Sequence, residues 1–200
     1  MKEFTKDVIQ KALDDAIKDV MRNDEKLLRD KCSERAVAHW LANYFLQHIQ
    51  EALKSKGTSF NKQGGYTVDV EYNRIGKGVN PKVVGRRRAM LDIVFHRRSD
   101  GDSSGQSFSE DNILCIEVKA THTKSTTKRG KESLLKDKER ISTLVSEKHD
   151  IERQPRYMYG AAVHFESDGY TYVCFYEGKN KCSYTIPKKD NIEIVHPFFW

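Results

Sequence analysis

Asp92, Glu117, Lys119 and Glu34 are charged residues in stretches whose other residues are chosen for burial. Asp92 interrupts Met90-Leu91-Asp92-Ile93-Val94-Phe95. Glu117 and Lys119 close the run Asn112-Ile113-Leu114-Cys115-Ile116-Glu117-Val118-Lys119-Ala120. An ionised side chain left alone in a core is costly, so each of these groups needs a partner. Glu117 and Lys119 alternate along one strand and therefore point to the same side of it. Glu34 precedes Val37 and Leu41 at helical spacing and extends their buried stripe toward the N-terminal end. Three converging carboxylates suit a hard divalent cation such as Mg²⁺, which takes oxygen ligands and keeps several waters. A cation also relieves the repulsion that would otherwise protonate one carboxylate. The plainer alternative is internal pairing, Glu117 with Lys119 and Asp92 with a nearby arginine. That alternative must explain three carboxylates and a lysine on adjacent core elements.

Other residues offer contacts to an anion. Arg35 and His39 stand one turn apart beside Glu34. For His39 an ordinary, partly buried histidine is the simpler reading. Glu71 and Arg74 end the strand before that of Asp92, where a surface salt bridge is the simple reading. Lys124, Lys128, Arg129 and Lys131 follow directly after Lys119 and could meet a phosphate backbone. Asp137 and Arg140 read as solvated charges. Tyr157 and Tyr159 read as strand packing, with base stacking as the alternative.

The elements that must position these groups follow from periodicity. From Phe4 to Met21 apolar residues form one helical stripe, and Asn23-Asp24 offers a break or a new cap. A second helix runs from about Ser33 to about Leu53, closed by Lys56-Gly57-Thr58-Ser59, with a turn at Gly64-Gly65. Tyr66 to Tyr72 alternates as a half-exposed strand. The segments around Asp92 and Glu117 are apolar on both faces, as in the centre of a covered sheet. A helix from about Glu132 to about Lys148 buries Leu134, Leu135, Ile141, Leu144 and Val145. Strands follow at Tyr157–Phe165 and Tyr170–Tyr176, with a short edge strand at Ile192–Val195. The expectation is an α/β fold with a mixed sheet and helices on both faces.

At 200 residues the chain suits one domain with a real core. No apolar run approaches the roughly 20 residues of a spanning helix, and the start has no signal-peptide core. A cytoplasmic protein that avoids membranes is the expectation. Cys32, Cys115, Cys174 and Cys182 lack metal-site spacing and read as reduced thiols. The net charge is +6, and its distribution is uneven. Lys/Arg dominate residues 77–98 and 119–131, while acid collects at Asp100, Asp102, Glu110 and Asp111. Basic edges around a site, or a solvated face, account equally for this.

Leu91-Asp92-Ile93-Val94 and Ile116-Glu117-Val118-Lys119 resemble the two halves of the PD-(D/E)xK nuclease motif. Ser33-Glu34-Arg35 resembles the extra acidic residue that many members carry on the first core helix. The order of helix, three strands, helix and strand also matches, over roughly residues 33–176, leaving extensions at 1–30 and 177–200. Leu91 stands where the motif's name has proline, and it has no metal-ligating atom to lose.

The resemblance implies a three-layer α/β/α sandwich with a central mixed sheet, a restriction-endonuclease-like core. It implies Mg²⁺, with Mn²⁺ as a substitute, bound by Asp92, Glu117 and the Val118 carbonyl. Glu34 would hold a second metal or a bound water. Lys119 would orient the attacking water and offset charge on the phosphate. The substrate would be DNA rather than RNA, cut internally rather than from an end, in a context such as phage defence, restriction or repair. No recognition domain is visible, so specificity is low or comes from a partner. The first helix and the tail Pro197-Phe198-Phe199-Trp200 close the core, or meet a second copy or a regulatory protein. The alternatives are a silent nucleic-acid-binding module of the same fold, or an adaptor subunit.

Overall fold

The computed structural model describes residues 3–30, 32–60, 65–72, 83–84, 87–88, 91–97, 112–120, 128–145, 156–166 and 169–188. Helix α1 (Lys6–Asn23) starts where the Thr5 side chain accepts a hydrogen bond from the Val8 N–H, and it buries Ile9, Leu13, Ile17 and Val20. A short helix α2 (Glu25–Arg29) follows, with no buried residue. Ser33 caps α3 (Glu34–Leu53) through the Ala36 N–H, 3.3 Å away. That cap fixes Glu34 in the first turn, where unsatisfied N–H groups favour a carboxylate.

The strands are β1 (Tyr66–Tyr72), β2 (Val83–Val84), β3 (Arg87–Arg88), β4 (Leu91–Arg97) and β5 (Asn112–Ala120). After helix α4 (Lys128–Val145) come β6 (Tyr159–Phe165), β7 (Tyr170–Glu177) and β8 (Asn180–Pro187). Among the described residues, six strands form one mixed sheet in the order β1-β4-β5-β6-β7-β8, with β2 and β3 pairing separately. β5 and β6 are parallel, from Leu114↔Tyr159 to Ala120↔Phe165, with α4 as their crossover; the other neighbours are antiparallel. The protein is thus a mixed α/β fold.

Alternate side chains divide between two apolar clusters. α1 and α3 share one with Ile93, Phe95, Leu114, Ile116 and Val163. Ile141, Leu144 and Val145 of α4 share the other with Val94, Cys115, Ala162 and Cys174. Cys115 points away from Leu114 and Ile116, so α4 covers the face opposite α3. Asp92, Glu117 and Lys119 have the parity of Val94 and Cys115, and so belong to the α4 face.

Gly160 is where α4 comes closest to β6. A Cβ there would press into Ile141 Cγ2 and lie 2.8 Å from Val145 Cγ2. Gly160→Ala is therefore expected to push α4 outward and cost about 1–3 kcal/mol, the usual cost of overpacking. Urea unfolding measures this, and an unchanged midpoint would show that the helix yields freely.

The structure bears on several sequence expectations. Leu135 is exposed (56%) rather than buried. Asn180–Pro187, within the expected C-terminal extension, is a full strand paired with β7. Ile192–Val195 and the tail Pro197–Trp200 lie outside the described residues. Tyr157 and Tyr159 are buried, and the Tyr159 hydroxyl donates to the Phe4 carbonyl at 3.0 Å, so neither offers a ring for stacking. The four cysteines are free thiols. No described helix is long and apolar enough to cross a membrane.

Candidate functional site

After a register shift between His96 and Phe95, β4 and β5 pair from Phe95↔Leu114 to Ile93↔Ile116, the last described pair of the ladder. Asp92, the next residue out, takes over the role of the missing backbone acceptor. Its Oδ2 accepts the Val118 N–H at 2.7 Å. The aspartate thus ties β4 to β5 beyond the last pair of the ladder. Burial pushes its pKa up, against the pull of the Val118 N–H and the Lys119 charge.

Glu117 is buried (3% exposed), and its Oε1 accepts from Arg140 Nη1 at 2.9 Å. Burial, reinforced by the charge of Asp92, pushes its pKa up to about 8 despite Arg140. Lys119 Nζ donates to Glu34 Oε2 at 3.0 Å. Burial pulls the lysine's pKa down, but the Glu34 bond and the charges of Asp137, Glu34 and Asp92 prevail, and the net shift is upward. In this arrangement Lys119 is a fixed cation and a poor proton acceptor. Of the four expected residues, Lys119 and Glu34 pair with each other, Glu117 pairs with Arg140, and Asp92 holds the Val118 N–H. Among the described residues, the simpler pairings, Glu117 with Lys119 and Asp92 with an arginine, are not those formed.

Helix α4 adds two residues, and they are not the solvated charges their sequence context suggests. Arg140 binds Glu117, and Asp137, one turn earlier, is only 6% exposed with a buried Oδ2 that has no hydrogen-bond partner among the described residues. Burial raises the pKa of Asp137, opposed first by Lys119 and then by Arg140. Its signal is present in the sequence: Asp137 lies at helical spacing from Leu134, Ile141 and Leu144, the same break in a buried stripe that marks Glu34. His164 on β6, the register partner of Lys119, is also buried beside this cluster, and burial lowers its pKa. No spacing in the sequence pairs His164 with Lys119; the parallel register does.

The remaining candidates lie apart from these bonds. Arg35 forms an exposed ion pair with Glu71, a residue whose backbone adopts a positive φ of 53°. His39 is exposed rather than partly buried, with its ring edge-on to Trp40. Lys131 is exposed in the first turn of α4. Lys128 and Arg129 begin that helix, and their side chains, like Arg74 and Lys124 altogether, lie outside the described residues.

Among the described residues, no three carboxylate, histidine or cysteine groups already stand close enough together to hold a metal ion. The donor set nevertheless fits a divalent cation. The charge of Asp92 makes Glu117 costlier to ionise, a repulsion that a cation between them relieves, and Mg²⁺ is commonly held by one or two carboxylates with waters. The buried, unpartnered oxygen of Asp137 points the same way.

The raised carboxyl pKa values set a pH dependence for the cation-free protein. Glu117 titrates near 4.5 when unfolded and near 8 when folded. Between those values the folded chain holds a proton that the unfolded chain has lost, so stability falls as pH rises. Asp14, pushed up to about 6 by burial, acts in the same sense. Melting temperature is expected to decline from pH 5 to pH 8, and Glu117→Gln to flatten that decline. A wild-type melting temperature that climbs across this range would contradict the burial argument.

No family model, curated protein or solved structure matches this chain.

Proposed function

We propose that this protein is a Mg²⁺-dependent nuclease that hydrolyses phosphodiester bonds of DNA on a three-layer, restriction-endonuclease-like core. One observation carries the reading. Asp92, Glu117, Lys119 and Glu34, drawn from two strands and a helix far apart in sequence, gather where β4 parts from β5. A fold needing only stability would fill these positions with apolar residues, because buried ion pairs seldom stabilise more than their replacements.

Asp92 and Glu117 would hold the cation, with the Val118 carbonyl beside them and Glu34 at the outer edge. When bound, the cation supplies Lewis acidity toward the phosphate and water and offsets developing negative charge. Lys119, anchored by Glu34, presents a positive charge to the phosphoryl oxygens as that charge grows. Asp92 keeps Val118 and its neighbours in place through the N–H it accepts. The Lys/Arg-rich segments 77–98 and 119–131 supply the polyanion's countercharge. DNA as substrate, internal cutting and a defence or repair setting rest on the family resemblance.

A second reading, a silent nucleic-acid-binding module, draws support from one feature: Glu117 and Glu34 are each already satisfied by an internal cation. The two readings separate when circular single-stranded DNA, circular duplex DNA and a structured RNA are incubated with Mg²⁺, Mn²⁺ or EDTA. Metal-dependent cutting of either DNA circle supports the nuclease. Cutting of RNA alone reassigns the substrate, and salt-sensitive binding without cutting favours the module. Neither cutting nor binding would leave an adaptor role.

A further inference from the structure

We propose that Arg140 and Asp137 form a charge-exchange pair of the cation site, in which Arg140 holds Glu117 until a divalent cation arrives and then moves to Asp137. The inference rests on the cation-binding reading above and adds two members to the site. Around the cluster, the carboxyl groups of Glu34, Asp92, Glu117 and Asp137 face the cations Lys119 and Arg140. With all six ionised, the excess is two negative charges, the complement of one divalent cation.

The two internal cations are placed differently. Lys119 is bound to Glu34, at the partly exposed edge. Arg140 is bound to Glu117, the most buried carboxylate of the cluster and a proposed ligand. A cation that takes Glu117 Oε1 competes with the guanidinium already bound to that oxygen, and Arg140 then gives way. Arg140 has room to do so, because its side chain is 40% exposed. Its destination is one turn back along the same helix, at the separation where side chains meet. There, Asp137 carries a buried oxygen with no partner. A buried carboxylate oxygen without a partner is costly, and accepting the displaced arginine accounts for its presence. Exchange lets the site fill without leaving either Glu117 uncompensated before the cation binds or Arg140 uncompensated after.

The experiment is a double-mutant cycle on cation affinity, read by titration calorimetry of the whole chain with Mg²⁺ and no nucleic acid. It compares wild type, Asp137→Asn, Arg140→Gln and the double variant. Asp137→Asn is expected to weaken Mg²⁺ binding about tenfold or more when Arg140 is present, because the displaced guanidinium has lost its acceptor. In the Arg140→Gln background the same change is expected to weaken binding by no more than about threefold, within the coupling range of neighbouring residues. Equal weakening in both backgrounds would make Asp137 a direct ligand and overturn the exchange. No weakening in either would place Asp137 outside the site and overturn it as well. Absence of Mg²⁺ binding in wild type, or binding that an added Asp92→Asn control leaves unchanged, would instead defeat the underlying cation reading. Melting curves confirm that each variant is folded, and Arg140→Lys, which keeps the charge, should restore the dependence on Asp137.

Discussion

Asp92→Asn is expected to lower DNA cleavage on the order of 10³-fold, the upper end of the cost of removing one preorganised polar group from a transition state. The same substitution should leave the fold nearly untouched. Asparagine's side-chain carbonyl still accepts the Val118 N–H that Asp92 Oδ2 accepts at 2.7 Å, so the junction of β4 and β5 survives. What is lost is the negative charge that would draw a cation between Asp92 and Glu117. Asp92→Ala makes the contrast. It removes charge and acceptor together, leaves the Val118 N–H unsatisfied, and should cost about 1–3 kcal/mol of stability in addition to the activity. Cleavage rates and urea midpoints, measured on both variants, separate the chemical role of the carboxylate from its structural one. Equal loss of stability in the two variants would show that the charge itself holds the strands together.

Lys119→Gln carries the second large effect. Lys119 is a fixed cation, anchored at 3.0 Å by Glu34 and kept protonated by the carboxylates around it. In the proposed nuclease its contribution would grow as negative charge develops on the phosphate, so its removal should lower kcat and kcat/KM together, on the order of 10²-fold, with little change in KM. The fold should tolerate the change, because Glu34 is partly exposed and water can replace the lost ammonium. Lys119→Arg retains the charge but spreads it over a planar fork in place of a compact ammonium, so it should recover only part of the rate. An effect confined to KM would reduce Lys119 to a ground-state phosphate contact and leave the catalytic cation elsewhere.

Much of this arrangement is legible in the sequence because it breaks rules that sequences otherwise keep. A strand apolar on both faces has no tolerance for charge, so Asp92 and Glu117 stand out, and the bounds Asn112–Ala120 and Tyr66–Tyr72 agree with β5 and β1 to the residue. The start of α3 is equally plain, since Ser33 is a side-chain cap and Glu34 follows it. What escapes the sequence has physical causes too. α2 is five residues with nothing buried, too short to show a period. β8 is an edge strand whose Cys182, Tyr184 and Ile186 alternate among polar residues after a turn at Gly178, where φ is +55°. That period-two signal is there to be used. Leu135 misleads because an apolar residue on a helix need not be buried, whereas buried Asp137 carries the more useful information two positions later. The pairing of Glu117 with Arg140 cannot be read from the sequence at all. It depends on α4 crossing over β5, and only the parallel β5–β6 register brings that helix over the site.

The most direct measurement incubates covalently closed circular duplex DNA with wild type and with Asp92→Asn, each in Mg²⁺ and in EDTA. The expected result is nicked or linear DNA from wild type in Mg²⁺, and intact circles in the other three reactions. Cutting that persists in EDTA, or that proceeds at the wild-type rate in Asp92→Asn, would contradict a cation-dependent nuclease centred on Asp92 and Glu117.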